Sequence, residues 1–150
     1  MKFLRGLIVV VVALVFLAGP VLAGEKIAKV TPEMAKKALK HQEKGNMLDD
    51  EGKFSEAIEE YKKSLEYNPG DPATLFNLGV VYLKINKAKE AIPVFEKLVK
   101  ISPDDFEAYN LLGLAYRGEK RETDAQKVWN KSLSINPTQP QVKEVMKEKQ

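Results

Sequence analysis

Between Pro72 and Pro103, the apolar residues Leu75, Leu78 and Tyr82 recur at intervals of three and four, and this spacing predicts a helix. A second helical run, from about Ala88 to Ile101, carries Ala91 and Phe95. Moving Leu75, Leu78, Gly79, Tyr82, Ala91, Phe95 and Pro103 forward by about 34 residues, the length of one helix-turn-helix repeat, lands on Tyr109, Leu112, Gly113, Tyr116, Ala125, Trp129 and Pro137. Moving them back by the same interval lands on His41, Lys44, Gly45, Leu48, Ala57, Tyr61 and Pro69. The glycine, the alanine, the aromatic and the proline survive both moves. Three tandem copies of one helical hairpin therefore frame the chain.

On these residues the chain resembles the tetratricopeptide repeat family, with copies at 38–71, 72–105 and 106–139. The resemblance implies an all-α fold: a right-handed α-solenoid of three helix-turn-helix hairpins over residues 32–137, closed by a C-terminal capping helix over 138–150. The first copy departs from the pattern, because His41 and Lys44 stand where large apolar residues are usual; terminal repeats are often atypical. In the family geometry, Gly45, Gly79 and Gly113 face Ala57, Ala91 and Ala125 within each hairpin, and Tyr61, Phe95 and Trp129 fill the space between neighbouring hairpins. A glycine inside a helix costs about 1 kcal/mol relative to alanine, so three equivalent glycines imply a packing need.

Helix boundaries are written in capping and stop residues. Thr31-Pro32-Glu33 reads as a helix start, with Thr31 as N-cap and Pro32 in the first turn, for a helix running to about Asp50 with Met34, Ala38, Leu39 and Leu48 along its inner side. Glu51-Gly52-Lys53 turns the chain into a second helix from Phe54 to about Tyr67, and Asn68-Pro69 stops it. Ser102-Pro103 and Asn136-Pro137 repeat the stop. Pro93 sits near the second turn of its helix, where it removes one backbone donor and is tolerated as a bend. After Pro137 a short helix restarts, and its apolar residues Val142, Val145 and Met146 form the single stripe that covering the end of a solenoid requires.

Ahead of the repeats, Lys2 and Arg5 precede an apolar run from Leu7 to Ala18, then Gly19-Pro20 and the small-residue sequence ending at Ala23. This is the layout of a secretory signal over residues 1–23, with cleavage after Ala23 and a polar linker over 24–31. The rival reading is an uncleaved anchor over residues 6–24, close to the roughly 20 residues that span a bilayer. Both readings carry the repeats across the membrane, to a periplasmic or secreted location or to the outer side of the inner membrane.

Charge and composition narrow the chemistry. The chain has 24 basic and 21 acidic residues, and without Lys2 and Arg5 the count is 22 against 21. Such a balance gives no electrostatic reason to expect nucleic acid as a partner. There is no cysteine and one histidine, His41, so no nucleophile with a base can be assembled and no thiolate metal site exists. The acidic run Asp49-Asp50-Glu51 lacks the spacing of a calcium loop and reads as a solvated helix end. The expectation is a protein that is not an enzyme and uses no cofactor or metal.

In the repeat geometry implied by the resemblance, the first helix of each hairpin lines a concave surface. Phe76, Val80 and Leu83 share one face of their helix, apart from the face of Leu75, Leu78 and Tyr82, and a helix apolar on two faces usually has something to cover the second. With Leu114 they form an apolar floor flanked by Asn46, Lys84, Asn110 and Arg117, suited to an extended or helical peptide. Those eight residues are the candidate binding groove for a protein or peptide partner in an envelope or secreted assembly. A self-associating structural subunit, a homo-oligomer built through the same groove, is the alternative. Some family members grip a terminal carboxylate with basic residues, but the matching positions here are Gln42, Glu107 and Leu111, so that specificity does not carry over.

Overall fold

A computed structural model of the protein describes residues 29–147. The expected leader over residues 1–23 and most of the linker lie outside the described residues. Seven helices and no strand are found among the described residues: α1 Pro32–Asp50, α2 Phe54–Tyr67, α3 Pro72–Lys84, α4 Ala88–Ile101, α5 Phe106–Gly118, α6 Glu122–Ile135 and α7 Pro140–Lys147. The starts follow local chemistry. Thr31 caps α1 by accepting from the Met34 N–H at 3.2 Å, and Asp71 and Asp105, at equivalent places, accept from the Thr74 and Ala108 N–H groups at 2.7 and 3.0 Å. α4 continues through Pro93, which lies on its exposed side.

α1 with α2, α3 with α4 and α5 with α6 form three antiparallel hairpins. Each hairpin then packs on the next through α2 against α3 and α4 against α5, while α1, α3 and α5 touch in succession as one layer. A single core runs the length of the stack, from Ala57 and Tyr61 through Leu78, Phe95 and Leu98 to Ala125 and Trp129.

Within a hairpin the structure shows what the glycines make room for. A Cβ added at Gly79 would lie 2.5 Å from the Phe95 ring, at Gly45 it would lie 2.6 Å from the Tyr61 ring, and at Gly113 it would overlap the Trp129 indole. Each glycine therefore faces the aromatic of its own hairpin. Ala57, Ala91 and Ala125 are fully buried as well, but the aromatic ring is what occupies the hollow that the missing side chain leaves. The reason is size: a flat ring needs more room than two small residues provide, and the glycine backbone supplies it.

The hairpin turns repeat as well. Gly52, Asn86 and Lys120 fall at the same place in successive copies and have φ of 72°, 58° and 59°. This left-handed conformation costs a glycine nothing and other residues roughly 1–2 kcal/mol.

The two ends of the stack differ from its middle. At the places of Leu75, Leu78 and Val94, the first repeat has His41, Lys44 and Glu60. His41 Nδ1 and Glu60 Oε2 are 2.6 Å apart, and Lys44 and Lys63 donate to Glu60 Oε1 at 3.1 and 3.0 Å. The Glu60 carboxylate is only 7 % exposed, and the His41 hydrogen bond, with support from Lys63 and Lys44, holds its pKa down to about 2 against the opposing effect of burial. An apolar cluster has been exchanged as a set for a polar one. Leu39, expected on the inner side of α1, is 52 % exposed; Met47 is 63 % exposed, although Val81 and Ala115 at its place in the other repeats are fully buried. The Met47 position is buried in the repeats that have a neighbour before them, and no described helix precedes α1; the Leu39 position is exposed in the later repeats too, at Ala73 and Glu107.

At the other end, α7 occupies the place of the first helix of a fourth repeat. Pro140 follows Gln139, which falls where Asp71 and Asp105 stand, and the Lys143 N–H bonds to the Gln139 carbonyl as the Leu75 N–H does to that of Asp71. Val142, Val145 and Met146 pack against the core. Lys143 and Lys147 replace the leucine or tyrosine and the glycine that would receive a following helix. Charge at those two positions leaves α7 without the surface on which a further helix of this pattern would pack.

Two outcomes follow from these features. Lys120→Gly should raise stability by about 0.5–1 kcal/mol by relieving a left-handed lysine, whereas Gly52→Ala should lower it by about 1 kcal/mol, both read as shifts in a urea-denaturation midpoint. Glu60→Gln should cost on the order of 1–3 kcal/mol at neutral pH. Because the folded-state pKa of Glu60 lies below its ordinary value of 4.5, that contribution is complete above pH 4.5 and is lost as pH falls through about 2. The gap between wild type and Glu60→Gln in a pH series of melts should therefore close in that window.

Candidate peptide-binding surface

The eight groove residues come from α1, α3 and α5, the three helices of one layer, and the structure divides them into three groups. Asn46 is partly buried and engaged by its neighbours. Its Oδ1 accepts from the Tyr61 hydroxyl at 2.8 Å and from Asn77 Nδ2 at 2.9 Å, a bridge that ties α1 to α2 and α3. The oxygen that a ligand would approach is already engaged by two donors.

Phe76, Val80 and Leu83 form the second group. All three are partly buried and packed against the core, so they are a floor more than a set of projecting contacts. Beside them, the Lys84 ammonium donates to both carboxylate oxygens of Asp49 at 2.7 and 2.8 Å and lies 5.7 Å from the centre of the Phe54 ring. Asp49 is thus the counter-ion of Lys84 across α1 and α3, a role that its placement in an acidic run concealed. The Lys84 side chain remains 43 % exposed, so the pair is a weak surface bridge.

Asn110, Leu114 and Arg117 make up the third group, next to α7. Leu114 is 39 % exposed, Asn110 Nδ2 donates to Gln139 Oε1 at 2.6 Å, and the Arg117 guanidinium lies 5.5 Å from the centre of the Trp129 ring. Asn110, Leu114 and Trp129, with Gln141, Val142 and Val145 from α7, line a pocket of about 130 Å³ whose walls are almost wholly apolar. Of the groove residues, only Asn110 and Leu114 share a described pocket. Trp129 and the three α7 residues were missed as site residues. The signal was available, because the interval that carries Pro72 to Phe106 also carries it to Pro140 and so makes α7 part of the same layer.

No cluster of three or more histidine, aspartate or glutamate side chains able to hold a metal ion occurs among the described residues, and no described helix is long and apolar enough to cross a membrane. His41 serves the Glu60 cluster and stacks on Tyr67 with ring centres 5.8 Å apart.

Comparison with known proteins places this architecture. A search of curated proteins finds no match. Among solved structures, the first tetratricopeptide domain of Spaghetti (RPAP3), bound to the HSP90 peptide SRMEEVD, is 26 % identical with a TM-score of 0.70, over 75 % of this chain and 89 % of that one. MamA residues 41 to end from Desulfovibrio magneticus RS-1 is 28 % identical with a TM-score of 0.69, over 73 % of this chain and 62 % of that one, so this chain spans under two thirds of it. The N-terminal domain of STI-1 from C. elegans, 23 % identical with a TM-score of 0.70 over 79 % of this chain and 98 % of that one, shares the fold. Two family models, each described as tetratricopeptide repeat, match residues 50–112 and 106–139, which together make up more than half of the sequence. With the recurring glycine, alanine, aromatic and proline and the stacked hairpins, these matches establish that the chain belongs to the tetratricopeptide repeat family.

Proposed function

We propose that the protein is an exported, non-catalytic scaffold that holds a peptide segment of another protein on the surface of α1, α3 and α5, as an adaptor in an envelope or secreted assembly. The observation that carries this reading is the exposed Leu114 beside the apolar pocket under α7, on the layer that also carries the partly buried Phe76, Val80 and Leu83. Apolar surface on a layer otherwise engaged in internal bonds is what a docking segment covers. The peptide-bound domain of Spaghetti (RPAP3) supports the same use of the fold.

The ligand differs from an acidic tail gripped by cations. Gln42 donates to Asp71 at 3.2 Å, Glu107 is exposed and negative, and Leu111 packs against the core, so the three positions that would supply positive charge supply none. Selection therefore rests on apolar contacts, with Lys84 and Arg117 as the nearby cations. Export rests on the leader of Lys2, Arg5, Leu7 to Ala18 and the break at Gly19-Pro20, whether it is removed after Ala23 or retained as an anchor.

Selection of a random peptide library on the immobilised protein tests this. Enriched peptides should carry apolar residues and should lose about tenfold or more in affinity to the double variant Val80→Gln/Leu114→Gln, with the melting temperature as the check that the fold survives. No enrichment, together with an apparent mass that rises with protein concentration, would replace the peptide reading with self-association through this surface.

A further inference from the structure

α7 is held differently from the six helices before it. Each of α1 to α6 buries at least two residues, among them Ala38 and Gly45 in α1 and Ala125, Trp129 and Ser132 in α6, whereas none of the residues of α7 is buried. Its contact with the core comes from Val142, Val145 and Met146, all partly buried. Lys143, Glu144 and Lys147 on its other side are exposed. Between α7 and the third hairpin lies the cleft of about 130 Å³, with Leu114 and Trp129 on one wall and Val142 and Val145 on the other. Side chains that face each other across a gap do not gain the dispersion energy of contact, so part of this interface contributes little.

The chain just ahead of α7 is fixed. Gln139 is 6 % exposed; its Nε2 donates to the Ser132 carbonyl at 3.2 Å, the Ser132 hydroxyl at 3.0 Å and the Asn136 carbonyl at 2.7 Å, and its Oε1 accepts from Asn110 Nδ2 at 2.6 Å. These bonds tie the backbone to α5 and α6 as far as residue 139. Pro140 then has no N–H to offer, and the Lys143 N–H bonds back to the Gln139 carbonyl at 3.2 Å. The 8 described residues of α7 fall short of the roughly 12–15 at which an isolated helix becomes even marginally stable in water. α7 therefore keeps its helix only while it lies on the hairpin.

We infer that α7 is a latch: it pivots at Gln139 and Pro140, leaves the third hairpin and loses its helix as one unit, while α1 to α6 stay folded. Docking and helix formation support each other, so the opening is all-or-none. Closed, the latch covers one side of Trp129, which is 2 % exposed, and of Leu114; open, it uncovers both. It thus sets how much apolar surface the last hairpin shows, whether or not a peptide docks there.

Amide hydrogen exchange of the purified protein, read residue by residue by NMR across a series of low urea concentrations, tests this. The amides of Lys143 to Lys147, which donate within α7, should share one opening constant and exchange about 100-fold or more faster than those of Leu78 and Phe95. Their rates should barely respond to urea, because little surface is exposed on opening, whereas the core amides should respond steeply. Val145→Ala should raise the common rate about tenfold and leave the Leu78 and Phe95 amides unchanged. Rates that climb steadily toward Lys147 would reduce the latch to a fraying end and overturn the inference. Rates that rise with urea together with those of Leu78 would make α7 part of the global folding unit, and a complete lack of protection would mean that it does not close; each overturns the inference as well. So does a response to Val145→Ala confined to the neighbours of the substituted residue.

Discussion

An aromatic ring seated on a glycine is the contact from which this molecule is built. In each hairpin the first helix has no side chain where the second helix presents a ring: Gly45 under Tyr61, Gly79 under Phe95 and Gly113 under Trp129. The ring fills the hollow, its far edge reaches the next hairpin, and the polar edges of Tyr61 and Trp129 add bonds to Asn46 and to the Asn110 carbonyl. The helix interior tolerates the glycine because the ring returns more in packing than the backbone loses in propensity. Repetition of this unit sets the spacing of everything else, from the left-handed turns at Gly52, Asn86 and Lys120 to the caps at Asp71 and Asp105.

A stack of such units has two open ends, and each is closed by different chemistry. At the first repeat, His41, Lys44 and Lys63 gather round the nearly buried Glu60, so the place of an apolar cluster is taken by ion pairs and hydrogen bonds. At the last, α7 lays an apolar stripe on the third hairpin and turns lysines outward where a further helix would dock. A pocket of about 130 Å³ remains there, lined by Asn110, Leu114, Trp129, Gln141, Val142 and Val145. α7 thus adds apolar contacts to the third hairpin and roofs a pocket against α5.

Most of the fold was legible because it is periodic. One interval carried seven marker residues through three copies, and helix limits followed from Thr31, Gly52 and the prolines, whose backbone preferences act locally. What could not be read depended on where side chains go in space. The glycines and alanines share each hairpin crossing, and spacing alone does not show that the ring of the same hairpin sits on the glycine. Leu39 looks like an inner residue by spacing and lies outside, as Ala73 and Glu107 do at its place in the later repeats. In the groove, Asn46 and Lys84 read as free polar groups, yet one is bound by Tyr61 and Asn77 and the other by Asp49. The pocket under α7 escaped notice because it depends on how α7 packs beside α5, which spacing along the chain does not show.

A double-mutant cycle on Gly79 and Phe95 tests the founding contact most directly. Gly79→Ala should lower stability by about 1–2 kcal/mol, because overpacking against the ring exceeds the gain in helix propensity of about 1 kcal/mol, and in the background of Phe95→Leu the same substitution should become neutral or stabilising. If Gly79→Ala instead raises the denaturation midpoint by its full propensity gain in both backgrounds, the ring does not rest on the glycine and the account fails.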